Sequence, residues 1–576
     1  MSAGSGQRHL YGVEGRPPLP HALALGAQHA LLALVFLVYP LAAAQQIGLS
    51  AGDTEMLLAA VILSTGGATI LHGFRQPVGS SALAVQIPTP AFLQTEVLAG
   101  SMGGLPLMAG MSLVTGVVGL FFSSALRRLR ALFPAEVCGV AVVMLGLSLI
   151  RPGFLNIVAS PTDLPMIQGE PLAVATLTLA TITVIAIFAT GRLKLLALGS
   201  GMLVGIGLAW LLGLTGHGYW DPLLQSPWAG VPAVDIGAAH FSLELLPLGI
   251  VMALILSIDN VGMLIGIQRQ MDPGWSRLDM NQASRGIRSS AVGDLLAGAL
   301  GGMPTGISSA NVSLAHATGA IARRISYLTG ILLLAAAFSP KVIKVVALIP
   351  KPVVGAVMLY AAAYMLVSGM TLFLGRLLNQ RRMFVVGFSI VLGVAPMVVP
   401  SMFSEVSPLL RPILESPLAL GSFCAIVLTQ LLRIGSASKV EVSVPLPDSD
   451  NEMMQELVCN KAIRAHLVKL GASVGAARPA VYRAIDLTSE WVGWLKVNRY
   501  INDDVHLTAS FVDSQLDVVL AYDGRPPPLH GKRQFAAVDT GEAVHTLERL
   551  QGLVDAISIR SNGLHQQLTL RFEPSK

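Results

Sequence analysis

Apolar runs follow one another along this chain from about Leu23 to Ile434, with short polar or glycine-rich connections between them. Crossing a hydrocarbon core takes about 20 helical residues, and at that length the pattern predicts about fourteen membrane-spanning segments. Two segments are short and broken. One runs from Gly79 to Phe92 through Gln86-Ile87-Pro88-Thr89-Pro90, and the other from Gly301 to Asn311 through Met303-Pro304-Thr305-Gly306. They fall at matching places, third in each of two halves of seven segments. Halves with odd numbers of spans insert in opposite orientations, and interrupted segments at corresponding positions point to a transporter's binding site. Unwound backbone leaves amides and carbonyls free, which is tolerated at membrane depth only where protein or a ligand satisfies them.

Past Ile434 the pattern changes. Gly435-Ser436-Ala437-Ser438-Lys439 opens a stretch of ordinary polar content with no membrane-length apolar run. Alternation over His506–Val512 and Leu516–Tyr522, about Asp513-Ser514-Gln515, predicts a hairpin. Helical patterns flank it over Met453–Leu470 and Arg478–Val497, and Leu568–Phe572 reads as a last strand. The expected architecture is an all-α polytopic membrane protein with a 7+7 inverted repeat and broken segments 3 and 10, followed by an α+β domain. Its divisions are a tail at 1–22, a transmembrane domain at 23–434 and a cytoplasmic domain at 435–576.

Composition agrees. Of 576 residues 53% are hydrophobic and 12% charged, with a mean hydropathy of +0.66, far outside the range of soluble globular proteins. The first apolar run follows a polar, Pro-rich stretch and lacks a small-residue cleavage site, so it is expected to stay in place. The net charge of +5 is spread over loops, which argues against nucleic acid as a partner. Arg75, Arg127, Arg128, Arg192, Lys194, Arg269, Arg323, Arg324, Arg381, Arg382, Arg433 and Lys439 fall in alternate connections. The positive-inside rule then puts both termini in the cytoplasm of a plasma-membrane protein, with Arg151, Lys341, Lys344 and Lys351 against the trend. Cys138, Cys424 and Cys459 form no metal or disulfide pattern. The absence of a P-loop, a Gly-x-Ser-x-Gly elbow and a metal cluster excludes the common catalytic motifs, so no enzyme and no cofactor are expected.

Candidate chemistry concentrates in few places. Asp259 interrupts the apolar run that begins at Val251, and a charge at the bilayer centre costs about 2.5 to 3.5 kcal/mol on insertion scales. Such a carboxylate can accept hydrogen bonds from a planar N–H donor and carry a proton; capping a helix is its alternative use. Asn311, just after the second break, can bond a ligand or tie the unwound backbone together. Ser313 and Thr318 suit helix packing as well as substrate, and His316 can shuttle protons or donate a structural hydrogen bond. Asp294, and Gln28 with His29 in the first span, fit a supporting role behind the site.

These residues resemble the nucleobase-ascorbate transporters, the xanthine/uracil permeases, over Leu23 to Ile434. The resemblance rests on Gln28-His29, Asp259-x-x-Gly262, Gly293-Asp294 and Asn311-x-Ser313-x-x-x-x-Thr318-Gly319. It implies a core domain moving against a gate domain, dimerisation, and symport of a nucleobase with a proton or sodium. Asp259 would bind the base and couple to the cation, with backbone near Thr89 and Phe92 and at Ser309, Ala310 and Asn311 completing the pocket. Three departures stand out. Ala310 replaces the usual Gln or Glu, Ser313 a Gly, and Asp259 the longer Glu. The C-terminal domain weakly resembles anti-sigma-type ATPase domains, with Glu490 and Asp523 near the nucleotide positions but no Asn partner and no glycine-rich lid. A degenerate regulatory or interaction module, contacting a cytoplasmic regulator, is expected there.

The leading reading is a secondary active transporter of xanthine, uracil or urate. An anion carrier of the sulfate-permease type and a transporter-derived sensor are the alternatives. Asp259 argues against the anion carrier, because a buried carboxylate opposes an anion.

Overall fold

The computed structural model describes the chain except residues 1–9, 130–134, 159–168, 191–193, 195, 217, 272–278, 375–379, 434–441, 447–451, 475–477, 502–504, 513–514, 528–548, 551–552, 555 and 573–576. The opening tail residues, the Gly435–Lys439 linker and the Asp513-Ser514 turn therefore lie outside the described residues.

The chain divides into two compact units. The first, Met1–Met370 with Val385–Leu428, is helical. It opens with α1 (Leu19–Val35), α2 (Val38–Ile47) and α3 (Ala51–Gly73). Strand β1 (Gln86–Pro88) and a single 3-10 turn, Pro90–Phe92, lead into α4 (Leu93–Leu129). Then come α5 (Ala135–Ile157), α6 (Gly169–Phe188), α7 (Ala197–Leu211), the short α8 (Asp221–Gln225), α9 (Leu246–Met271) and α10 (Met280–Leu300). Strand β2 (Thr305–Ile307) leads into α11 (Ser309–Thr318), followed by α12 (Arg323–Ala337), α13 (Pro340–Ala347), α14 (Lys351–Leu374), α15 (Gln380–Val398), α16 (Arg411–Glu415) and α17 (Pro417–Arg433).

Eight helices among the described residues are long and apolar enough to cross a membrane, nine if the pair α12 and α13, bent by 83°, counts as one span. That is fewer than the apolar runs suggest, for local reasons. The stretch α4 is two helices joined at a kink, where Gly103 and Gly104 both leave helical geometry, Gly104 at φ +66°, so two runs count as one. Helices α7 and α17 are short, α10 carries Arg285, Arg288 and Asp294, and α11 is a polar half-length helix.

Two packing groups matter for the site. Helices α1, α3, α4, α9, α10 and α12 pack on one another around the two strands. Separately, α5 lies against α14 through glycines seven residues apart. Gly139 faces Gly369, Gly146 faces Ala362, and Gly153 faces Gly355, an antiparallel register in which a Cβ added at Gly146, Gly153, Gly355 or Gly369 would meet its neighbour within 3.0 Å. With lipid outside, small residues that let backbones approach are what hold such a pair together.

The second unit, Thr371–Phe384 with Thr429–Lys576, contains α18 (Glu452–Val474), α19 (Arg478–Val497) and strands β3 (Val442–Leu446), β4 (Val505–Val512), β5 (Gln515–Asp523), β6 (Ala556–Asn562) and β7 (His565–Phe572). The strands form an antiparallel sheet in the order β3-β4-β5-β7-β6. Alternation puts Leu507, Leu520, Leu568 and Leu570 on one face, where they bury Trp491 and Leu495 of the amphipathic α19. Glu490 pairs with Arg549 at 2.9 Å, and Asp523 meets His565.

Candidate ligand site between two broken segments

Strands β1 and β2 are only three residues each, because Pro88 removes a ladder donor and prolines and glycines flank both. They pair antiparallel in the interior, with Gln86 opposite Ile307, Ile87 opposite Gly306 and Pro88 opposite Thr305. Opposed strand directions put the start of α4 at one end of this ribbon and the start of α11 at the other. Each start carries the positive end of a helix dipole. Gly306 permits the close packing: a Cβ there would come within 3.1 Å of Leu256 on α9 and 3.6 Å of Thr89 Cβ.

The second strand is held from behind. Asp294 on α10, 3% exposed, accepts a hydrogen bond from Thr305 N at 2.8 Å. Asn260 on α9 accepts from Ile307 N at 2.9 Å. Ser308 caps α11 by accepting from Asn311 N at 3.2 Å and from Asn311 Nδ2 at 3.0 Å. His29 on α1 then donates from Nδ1 to Asn311 Oδ1 at 2.7 Å, which leaves its buried Nε2 as an acceptor without a partner among the described residues. Gln28 Oε1 is another buried acceptor with no such partner.

The first strand has its own support. Gln86 donates from Nε2 to His72 Nε2 at 2.7 Å and to Ser290 Oγ at 2.8 Å, while its backbone N–H donates to Thr69 Oγ1 at 2.9 Å. His72 closes the network by donating to Ser80 Oγ at 3.0 Å. This network joins α3, α10 and the loop before β1.

The sequence-derived candidates separate accordingly. Asp259 is half-buried on α9, next to the tether Asn260, and makes no hydrogen bond to any described residue. On α11, Ser309, Ser313 and His316 are exposed and Ala310 half-buried, whereas Asn311 is buried. The amides of Ser309 and Ala310 have no acceptor within their own helix. Thr318 is satisfied within α11, donating to Leu314 O at 2.9 Å, and Gly319 at φ +65° ends the helix. Thr89 and Phe92 differ from the rest: their side chains are buried, Phe92 completely, and Thr89 Oγ1 accepts from Ala91 N at 3.3 Å. The first break therefore turns a closed face toward the ribbon.

Sequence reasoning passed over Asn260, Ser308, Gln86 and His72. Each had a signal, since each is a polar residue within or beside a long apolar run. What the arrangement offers chemically is a carboxylate and two buried acceptors without partners among the described residues, together with two helix-start amides that have no acceptor within their own helix. That set suits a planar molecule with alternating N–H and C=O groups.

A family model described as a permease family, Xan_ur_permease, matches residues 20–402. The xanthine permease XanP of Escherichia coli is 26% identical over 434 residues, covering 73% of this chain and 93% of its own. The uric acid permease PucK of Bacillus subtilis is 25% identical over 425 residues, with 73% and 97% covered. Among solved structures, the murine Slc26a9 anion transporter in the inward-facing state matches with a TM-score of 0.51 at 11% identity, over 76% of this chain and 71% of that one, which is a likeness of fold alone.

Proposed function

This chain belongs to the xanthine/uracil permeases, integral membrane proteins that carry nucleobases, and from that membership we propose that it takes up a base of the xanthine, uracil or urate class by symport with a proton or sodium. The two broken segments, the ends of α4 merged at Gly103–Gly104, α10, the bent α12–α13 pair and the short α7 and α17 bring the segments to fourteen, in two inverted sevens with both termini cytoplasmic. The packing group around the ribbon forms the core, and the group built on α5 and α14 forms the gate and the face for a homodimer. Alternating access follows from movement of one group against the other.

The observation that carries the substrate reading is Asp259, a half-buried carboxylate beside the ribbon with no hydrogen-bond partner among the described residues. It accepts N–H groups of the base, while the free amides of Ser309 and Ala310 donate to its carbonyls. Ala310 offers no side chain for the base's polar edge, so recognition leans on backbone and on Asp259. Asn311, positioned by His29, orients the start of α11, and Ser313 and His316 face the ligand from its exposed side. The same carboxylate disfavours a compact inorganic anion that has no N–H to donate, although helix starts alone would favour one. The second unit serves as a regulatory or interaction module.

A thermal-shift screen of the purified protein tests this, because a ligand that binds only the folded state raises its apparent stability. Xanthine, uracil or urate is expected to raise the melting temperature, and sulfate or bicarbonate to leave it unchanged. A shift with sulfate or bicarbonate alone would overturn the assignment in favour of an inorganic-anion carrier.

A further inference from the structure

A second carboxylate lies deep in the first unit. Glu96, one turn into α4 from the ribbon, is 0% exposed, and neither of its carboxylate oxygens has a hydrogen-bond partner among the described residues. Helix α4 packs there against α2, and Gly100 marks the contact: a Cβ added to it would come 2.3 Å from Ile47 Cδ1. The same two helices carry three more buried polar atoms without partners among the described residues, Thr95 Oγ1 beside Glu96 in sequence on α4, and Gln45 Oε1 and Gln46 Nε2 beside Ile47 in sequence on α2. Gln45 spends its amide on Ile349 O at 3.3 Å, which leaves its carbonyl oxygen free.

Native proteins satisfy buried polar groups, and unsatisfied ones on two packed helices call for a polar occupant. A carboxylate is the costliest to leave unpaired: burying one without a counter-charge costs several kcal/mol. The ionisable groups on α2 and on the elements packed against α2 and α4 are Tyr39 on α2, Asp53, Glu55 and His72 on α3, Asp259 and Arg269 on α9, Arg285, Arg288 and Asp294 on α10, Glu136 and Arg151 on α5, and Lys341 and Lys344 on α13. None of them hydrogen-bonds Glu96. Arg285 and Arg288 are committed to Gly79 O and Pro77 O. The free atoms are mostly acceptors, a hard oxygen set of carboxylate, hydroxyl and amide carbonyl that matches a small cation.

We propose that Glu96 binds the coupling cation, a proton or a sodium ion, in a site at the α2–α4 contact, separate from the base held at Asp259. This assignment rests on the symport reading above. With the cation in place the α2–α4 contact is neutral and the core can move. With the cation gone, a bare carboxylate in an apolar contact opposes that movement, which couples the two ligands.

The test uses the full chain in liposomes and reads three quantities: base binding, base exchange without a gradient, and accumulation driven by a pH or sodium gradient. Glu96→Gln is expected to keep binding and exchange within about threefold of wild type and to lose accumulation by about tenfold or more. Whichever gradient drives the wild type names the cation. If the proton does, infrared spectra of the wild type carry a carboxylic-acid band that Glu96→Gln lacks. Accumulation by Glu96→Gln at the wild-type level would overturn the assignment, and so would loss of binding together with accumulation. Should Glu96→Gln not fold, Glu96→Asp is expected to accumulate with its half-maximal cation concentration moved by about threefold or more, and an unmoved value would overturn it equally. A wild type that binds and exchanges the base yet never concentrates it would refute symport itself, an outcome distinct from a defect confined to the Glu96 variants.

Discussion

The first broken segment buries Thr89 and Phe92, spends its helix-start groups on itself and is braced by Gln86, His72 and Ser290. The second, paired to it residue for residue, exposes Ser309, Ser313 and His316, leaves two amides free and lies beside the unpartnered Asp259. Two segments that look equivalent as interrupted apolar runs thus divide the work. In the proposed reading one is scaffold and the other meets the ligand, a division that follows from what each strand has behind it.

Substitutions can break this contrast. The largest effect is expected from Asp294→Leu, which strands Thr305 N in the interior; losing such a buried bond costs about 1 to 3 kcal/mol, and a lowered melting temperature with loss of uptake would register it. Asp294→Asn keeps an acceptor and is expected to recover most of the stability. Asn260→Leu removes the other tether, from Ile307 N, and is expected to lower base affinity by about tenfold through a displaced β2, measured by titration. Asn311→Ala breaks the bond from His29 and is expected to weaken binding by about threefold to tenfold. Thr89→Val on the scaffold side should leave affinity within about twofold, since its hydroxyl faces only its own turn. A tenfold loss there would erase the distinction between the two segments.

The smallest effect lies outside the membrane part. Glu14 pairs with Arg75 at 3.0 Å and Arg323 at 3.1 Å, and Tyr11 O accepts from Ile321 N at 2.9 Å, so the chain before α1 is fastened to the loop after α11. The Arg75 hydrogen bond, aided by Arg323, holds the Glu14 carboxyl below its usual value of 4.5. A depressed value in the folded state means that the contact contributes fully above the ordinary carboxylate range and is lost as pH falls through the lower folded value. Amide exchange of residues 10–18 should therefore rise modestly toward acid pH, and Glu14→Gln should show that faster exchange already at neutral pH.

Much of this was legible in the chain. The broken segments, Asp259, Asp294 and the Gln28-His29 pair all stand out because a polar group in a hydrocarbon run needs a reason. The hairpin His506–Tyr522 and its flanking helices follow from period two and period 3.6. What stayed hidden depends on three-dimensional pairing. Pattern alone cannot say that β1 lies on β2 in that register, that Asn260 rather than Asp259 turns to Ile307, or that Phe92 is sealed off while Ser309 is open. Among the described residues, fewer helices than apolar runs are long and apolar throughout, because α11 and α10 trade hydrophobicity for the polar groups that hold the ribbon.

Titration of the purified protein with xanthine, uracil and urate, wild type against Asp259→Asn, tests the central claim most directly. The charged acceptor makes the stronger hydrogen bond, so the variant is expected to bind its base about tenfold to a hundredfold more weakly while keeping the wild-type melting temperature without ligand. Equal affinity in the two proteins would contradict the account and move the ligand away from α9 and the second broken segment.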